Sequence, residues 1–287
     1  MILRALALSS LLLAAAPSNP LVLHNTFDLT LDEAVSATLS NGETVKLRLM
    51  QVTGSKDSVN KSMRRAGVKL ELNGEVVELP ACNYHLPRTV GKFQVDCPIT
   101  SDYLEMARKN VWALHKDARI RIWPAGSPLL PGGTFVYPAR QRWFATYTQM
   151  ANEPVYVDGG DMPKAKNTYY HYGLDIGGSE GLVDVVAATD GLVASSGLEV
   201  LEGHEKGTPV DKRYDVIYVV DGRGWYYRYS HLKFIEDWVR PGAKVTMGRK
   251  LGVFGKEGGS GGWSHLHFDI TKKQPDININ MMPSNIR

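Results

Sequence analysis

The 287-residue chain reads as mainly β and in two parts. Three observations carry that reading. Apolar and polar residues alternate on both sides of Asn41-Gly42 and again around Asn73-Gly74; such pairs mark tight hairpins, whose turn positions need positive φ. From Leu182 onward the β signal is continuous and is interrupted by Asp190-Gly191 and Asp221-Gly222. One stretch alone, about 102–115, repeats its apolar residues at helical spacing.

Taken in order, Met1 to about Ala16 reads as a secretory signal, with Arg4 as its charged start, Ala5–Ala15 as its apolar stretch and Ala14-Ala15-Ala16 as a small-residue cleavage region. The apolar run is shorter than the ~20 residues a membrane span needs, so export is favoured over an anchor. The expected location is the periplasm, the cell envelope or the outside of the cell. No cysteine follows the run to carry a lipid, and no later stretch is long and apolar enough to cross a bilayer.

Residues 20–125 read as a small β-rich domain. Val35, Ala37 and Leu39 alternate into the first hairpin, and Val45, Leu47 and Leu49 alternate out of it. The second hairpin joins residues 68–72 to residues 76–79. Ser101 or Asp102 can cap the expected helix, in which Leu104, Ala107, Val111 and Leu114 share a face. Arg119 to Trp123 alternates as a closing strand. Pro124, Gly126, Pro128, Pro131, Gly132 and Gly133 crowd together, which places a linker and lead-in over 126–164 and a second domain over 165–287. There, residues 214–220 and 225–231 flank Asp221–Gly224 as a further hairpin, and Leu201–Arg213 is a long polar loop.

The formal charge of +3 falls to +2 once Arg4 leaves with the leader, and no basic tract or aromatic-interleaved basic motif is present, so nucleic acid is not an expected partner. Cys82 and Cys97 are the only cysteines. In an exported chain an even count of two suggests one disulfide, worth ~3 kcal/mol for a loop of this length; buried free thiols are the alternative.

The chemistry concentrates near the C-terminus. Read as a strand, His265-Leu266-His267-Phe268-Asp269-Ile270 puts two imidazoles and a carboxylate on one face and a core stripe on the other. That face suits a metal site with an adjacent proton-transfer group, or else a polar surface washed by solvent. Three further stretches weigh for the metal: His171-Tyr172-Gly173-Leu174-Asp175, Tyr229-Ser230-His231-Leu232, and the glycine-rich Gly255–Gly262 that feeds into His265. Jointly, over about residues 165–280, they resemble the M23 (lysostaphin-like, LytM-type) family of zinc endopeptidases.

The resemblance implies an antiparallel β-sheet peptidase domain, Zn2+ as cofactor, and His171, Asp175 and His267 as its ligands. His231 and His265 match the family's catalytic pair, and neither is singled out as the principal base. The implied substrate is the peptide portion of bacterial peptidoglycan. Gly173 allows a tight turn between two ligands, Tyr227 and Tyr229 are expected on the strand face of His231, and Asp269 is placed to orient a ligand imidazole or to face solvent. One departure touches the groove wall: many members run from the glycine-rich loop into Pro-His-Leu-His, whereas this chain has Gly262-Trp263-Ser264-His265 and is one residue longer. A wall-binding module without hydrolysis is the competing function, against which all five positions stand intact. The first domain could bind wall glycan, shield the site or aid folding.

Overall fold

The computed structural model describes residues 23–272 apart from 60, 83–84, 106–109, 111, 144–145 and 158–166. The expected leader at 1–16 and the chain beyond 272 lie outside the described residues. Nearly all regular structure is β, and the sheets are antiparallel.

The N-terminal part holds β1 (Asn25–Leu29), β2 (Ala34–Thr38), β3 (Thr44–Lys56), β4 (Met63–Leu72), β5 (Glu75–Pro80), β6 (Arg88–Val90), β7 (Phe93–Thr100) and β8 (Ala118–Pro124). Among the described residues, β2-β3-β4-β5 form one meander and β1-β8-β7-β6 a second sheet. Both expected hairpins form. In the second, Asn73 and Gly74 take φ of 48° and 90° and Leu72 faces Glu75, the all-positive turn that matches the twist of its strands. Leu47, Leu49, Leu70 and Leu79 from one sheet and Leu29, Val95, Ile120 and Ile122 from the other share a core; burying each leucine or isoleucine stabilises by about 1.5–3 kcal/mol. Strand β8 alternates as its sequence suggests. Ile120 and Ile122 enter the core, while Arg119 and Arg121 are held on the other face by two-point pairs with Asp28 and Asp96.

The expected helix over 102–115 falls in part on 106–109 and 111, which lie outside the described residues; among the described ones this stretch holds a 3-10 turn, Ser101–Tyr103. At its end the Asn110 amide donates to the Leu114 carbonyl and accepts from the Leu114 N–H, 2.8 and 3.1 Å, so a side chain takes over main-chain partners there. Ala113 between them has φ +44°, outside the helical region. Trp112 and Leu114 instead pack with Met63, Ile99 and Tyr103. The expected disulfide is absent: Cys82 and Cys97 are free thiols. Their backbones do meet, Cys82 N–H donating to the Cys97 carbonyl at 2.8 Å, but Cys97 Sγ lies 3.5 Å from the Ile99 carbonyl and the Cys82 thiol meets Tyr103. Burial pushes the Cys82 thiol up to about 12.

The C-terminal part begins with β9 (Pro154–Val157) and β10 (Asn167–Tyr170), which pair with each other, and continues with β11 (Leu174–Gly177), β12 (Asp184–Val186), β13 (Gly191–Ser196), β14 (Glu199–Val200), β15 (Ile217–Val220), β16 (Trp225–Ser230), β17 (Leu232–Ile235), β18 (Lys244–Val245), β19 (Lys250–Phe254) and β20 (His265–Lys272). The main sheet runs β11-β20-β16-β15-β13-β14 with β18 added beside β13, and β12-β19-β17 form a smaller sheet. Ile176, Val193, Tyr227, Tyr229, Phe254 and Leu266 belong to the core these sheets share. The Asp190-Gly191 turn hands the chain from the small sheet to the large one. Ahead of the sheets, Leu130 and Phe135 pack on the same core, and Val136 N–H donates to the Ala188 carbonyl at 2.9 Å. No helix among the described residues is long and apolar enough to cross a membrane.

An aromatic cluster joins the two parts. Tyr170, the last residue of β10, packs among Tyr103, Trp112 and Met63, and its hydroxyl accepts from Met63 N–H at 3.0 Å. The next residue is His171.

Candidate metal centre

Strand β20 has neighbours on both sides, so its polar face becomes a floor. Asp175 on β11 sits directly opposite His267, and Ser230 on β16 sits opposite it on the other side. His171 arrives from the turn before β11. At Gly173, φ is +100°, and a Cβ there would lie 2.8 Å from the Phe268 carbonyl oxygen and 2.9 Å from His267 Nε2. Only glycine lets the chain pass this close to the strand that faces it.

The result brings His171, Asp175 and His267 together, with one donor atom from each inside a 4.8 Å span and all three residues buried. His171 Nε2 is 3.2 Å from His267 Nδ1 and 3.1 Å from Asp175 Oδ1, and His267 Nδ1 is 2.8 Å from that same oxygen. The outer ring nitrogens are already committed: His171 Nδ1–H donates to the Met150 carbonyl at 3.2 Å and His267 Nε2–H to Asp269 at 3.2 Å. In neutral rings those bonds fix the tautomers and leave two lone pairs and a carboxylate converging. Such a donor set repels itself unless a cation, or a proton, sits between; two imidazoles and a carboxylate suit zinc.

Without a metal the proton is the substitute. Burial opposes charge on His267, but Asp175 and Asp269 outweigh it and raise its pKa; burial likewise works against the Asp175 carboxylate, but hydrogen bonds from His171 and His267 hold it far below the usual range. Asp269 therefore stands behind the His267 imidazole, not in solvent. Arg228, on the same face, lies 3.8 Å from Asp269 and donates to the Tyr172 hydroxyl at 3.3 Å.

His231 and His265 lie beside this group with ring centroids 4.6 Å apart, and His231 is 6.1 Å from His267 by the same measure. His265 Nδ1–H donates to the Trp263 carbonyl at 3.0 Å, which turns Nε2 to within 3.4 Å of Asp175 Oδ2. Burial pushes this imidazole down to about 4 against the pull of Asp175, so it is neutral near pH 7. Trp263 stacks on the His265 ring at 3.8 Å, and so covers it.

His231 follows the end of β16 with φ +69°, a conformation that costs a non-glycine residue of order 1–3 kcal/mol. That reversal breaks the alternation. Tyr227 and Tyr229 do not share its face: both are in the core, Tyr229 accepting the Ala188 N–H at 2.8 Å. His204 is bonded to the Tyr226 hydroxyl at 2.8 Å, away from the metal-binding group. Sequence reading did not find Met150, Arg213, Asp215 or Arg228. The first contributes only a carbonyl, and no motif marks the other three.

Fold and site together define a class: an antiparallel β domain whose central strand and its neighbour present a His-Asp-His metal-binding group next to two more imidazoles, the equipment of a metal-dependent hydrolase. Residues 169–279 match the model of Peptidase family M23. Among solved structures the chain is similar to lysostaphin from Staphylococcus simulans, at 23% identity over 40% of this chain and 41% of that one, TM-score 0.30. It is also similar to a putative glycyl-glycine endopeptidase lytM from Ruminococcus gnavus, at 25% identity over 50% and 54%, TM-score 0.31. A third is the catalytic domain of the prophage-encoded M23 protein EnpA from Enterococcus faecalis, at 22% identity over 37% and 72%, TM-score 0.29. The chain thus spans 41% of lysostaphin and 54% of the LytM-type protein. No curated protein matches it.

Proposed function

We propose that the chain is an exported zinc-dependent endopeptidase that hydrolyses peptide bonds of bacterial peptidoglycan. The observation that carries this reading is the convergence of His171, Asp175 and His267 within 4.8 Å, flanked by two imidazoles. His171 through Nε2, Asp175 through its carboxylate and His267 through Nδ1 would hold the ion. Zinc bound there would lower the pKa of a water to ~7 and polarise the scissile carbonyl.

The chain's own residues do the rest. His265 presents an unprotonated Nε2 beside the metal-binding group and can take a proton from the attacking water; His231 presents its Nε2 from the other side. One ring takes that proton at Nε2, steadies the negative oxygen of the tetrahedral intermediate as a cation, and then passes the proton to the leaving amine. The expected leader at 1–16 supports placing this activity in the envelope or outside the cell.

Full-length protein incubated with isolated cell walls should release new amino termini, lose that activity to a chelator, regain it with zinc, and show none as His267→Ala. Activity that persists through chelation and in the variant would remove the metallopeptidase mechanism. Deleting residues 1–16 should strand the protein in the cytoplasm on cell fractionation.

A further inference from the structure

A carboxylate outside the metal-binding group stands directly behind His231. Asp215 is 1% exposed and sits just ahead of β15. Its Oδ2 accepts the His231 N–H at 3.0 Å, and its own main-chain carbonyl accepts Leu232 N–H at 3.2 Å, so it brackets the left-handed residue on both sides. Arg213 grips the same carboxylate with two nitrogens, Nε and Nη2, the latter at 2.7 Å. Arg213 Nη2 also lies 3.3 Å from His231 Nδ1. Gly258 closes against the guanidinium, where a Cβ would come within 2.6 Å of Nε.

We propose that Asp215, clamped by Arg213, is the positioning residue that holds His231 in its left-handed backbone conformation and in the tautomer that presents Nε2 to the reaction. His231 Nδ1 is 2.6 Å from the Glu257 carbonyl, which can only accept, so Nδ1 carries the hydrogen and Nε2 the lone pair. The Asp215 carboxylate is 3.6 Å from Nδ1, too far for a good hydrogen bond but near enough to favour this protonated edge, while the Arg213 cation fills the space into which the ring would otherwise rotate. Burial works against the Asp215 charge, yet His231 and Arg213 keep it ionised, so the clamp is in force across the neutral range. The other groups around the ring are His265, at 4.6 Å between centroids, and His267 at 6.1 Å; neither approaches the Nδ1 edge.

The activity readout rests on the catalytic reading of His231, whereas the tautomer is read without it. Zinc-loaded full-length Asp215→Asn removes the charge at constant volume. Its zinc content and KM should match the parent, kcat should fall about tenfold or more, and long-range histidine 15N spectra should show His231 moving from one tautomer to a mixture. Asp215→Ala should lose more; if it does not fold, the asparagine variant decides. Parent-like kcat with an unchanged His231 spectrum in Asp215→Asn overturns the inference. If His231→Ala stays active while Asp215→Asn still shifts the imidazole, positioning stands and the catalytic reading of His231 falls.

Discussion

Each of the four clustered histidines has one ring nitrogen tied to an acceptor: Met150, Glu257 and Trp263 carbonyls for His171, His231 and His265, and Asp269 for His267. The opposite nitrogens are thereby aimed with fixed tautomers. Gly173→Ala tests how tight the approach is: the methyl meets the Phe268 carbonyl and His267 at a φ alanine avoids, so zinc affinity should drop about tenfold or more, measured by competition with a chromogenic chelator. The metal-free protein should also be acid-sensitive. Burial pushes His265 down to about 4 in the folded chain, against about 6.5 for an exposed histidine, so between those pH values only the unfolded chain takes up that proton. Stability should therefore fall by about 1.4 kcal/mol per pH unit on acidification through that window, followed by denaturant titration. His267, raised by its carboxylates, contributes fully below 6.5 and adds no slope there. All five clustered side chains were legible in motifs, because His-x-Gly-x-Asp, Tyr-x-His-Leu and His-Leu-His carry both the residue types and their spacing. Asp215 was not: it precedes His231 by 16 residues, at the end of a polar loop, and only strand pairing brings it back. The face of Tyr227 and Tyr229 was misjudged because alternation assumes continued strand, and His231 reverses the chain.

Among the elements, hairpins were the most readable, since Asn73-Gly74 encodes its turn in two residues. The described end of the 102–115 stretch shows the opposite case: Asn110 satisfies Leu114 with a side chain, and the aromatic cluster around Tyr170 draws Trp112 and Leu114 inward. Nothing local to 102–115 announces a partner more than fifty residues away. A second unforeseen element is the strap over 149–153. Gln149 exchanges two main-chain hydrogen bonds with Asp175, and Asn152 N–H donates to the His171 carbonyl at 2.7 Å. The Asn152 side chain accepts from Trp112 Nε1 at 2.6 Å and donates to the Pro98 carbonyl at 3.0 Å, so the strap joins the N-terminal part to the segments that carry His171 and Asp175. Asn152→Ala leaves the indole N–H and that carbonyl without partners and should cost about 1–3 kcal/mol of stability, measured by chemical denaturation. A variant as stable as the parent would mean that the strap is held elsewhere.

Across the whole molecule, two separate cores sit on either side of the Tyr170 cluster, and all three proposed metal ligands belong to the second part. Metal removal should therefore lower the melting transition of the C-terminal part, by about 4 kcal/mol of stability if zinc is present at a thousandfold above its Kd, with calorimetry run with and without chelator. A transition indifferent to chelation would argue against a resident ion. The mainly β architecture was legible from alternation and turn chemistry, but the sheet order was not, because β20 lies between β11 and β16 and draws both from far upstream. The unbonded thiols carry a practical consequence. Cys97 is 2% exposed in the N-terminal core, so a maleimide reaches it only when that core opens. Labelling rates would then clock the breathing of the N-terminal half while proteolytic turnover is followed in the same tube, and adding reductant beforehand would cost the fold nothing.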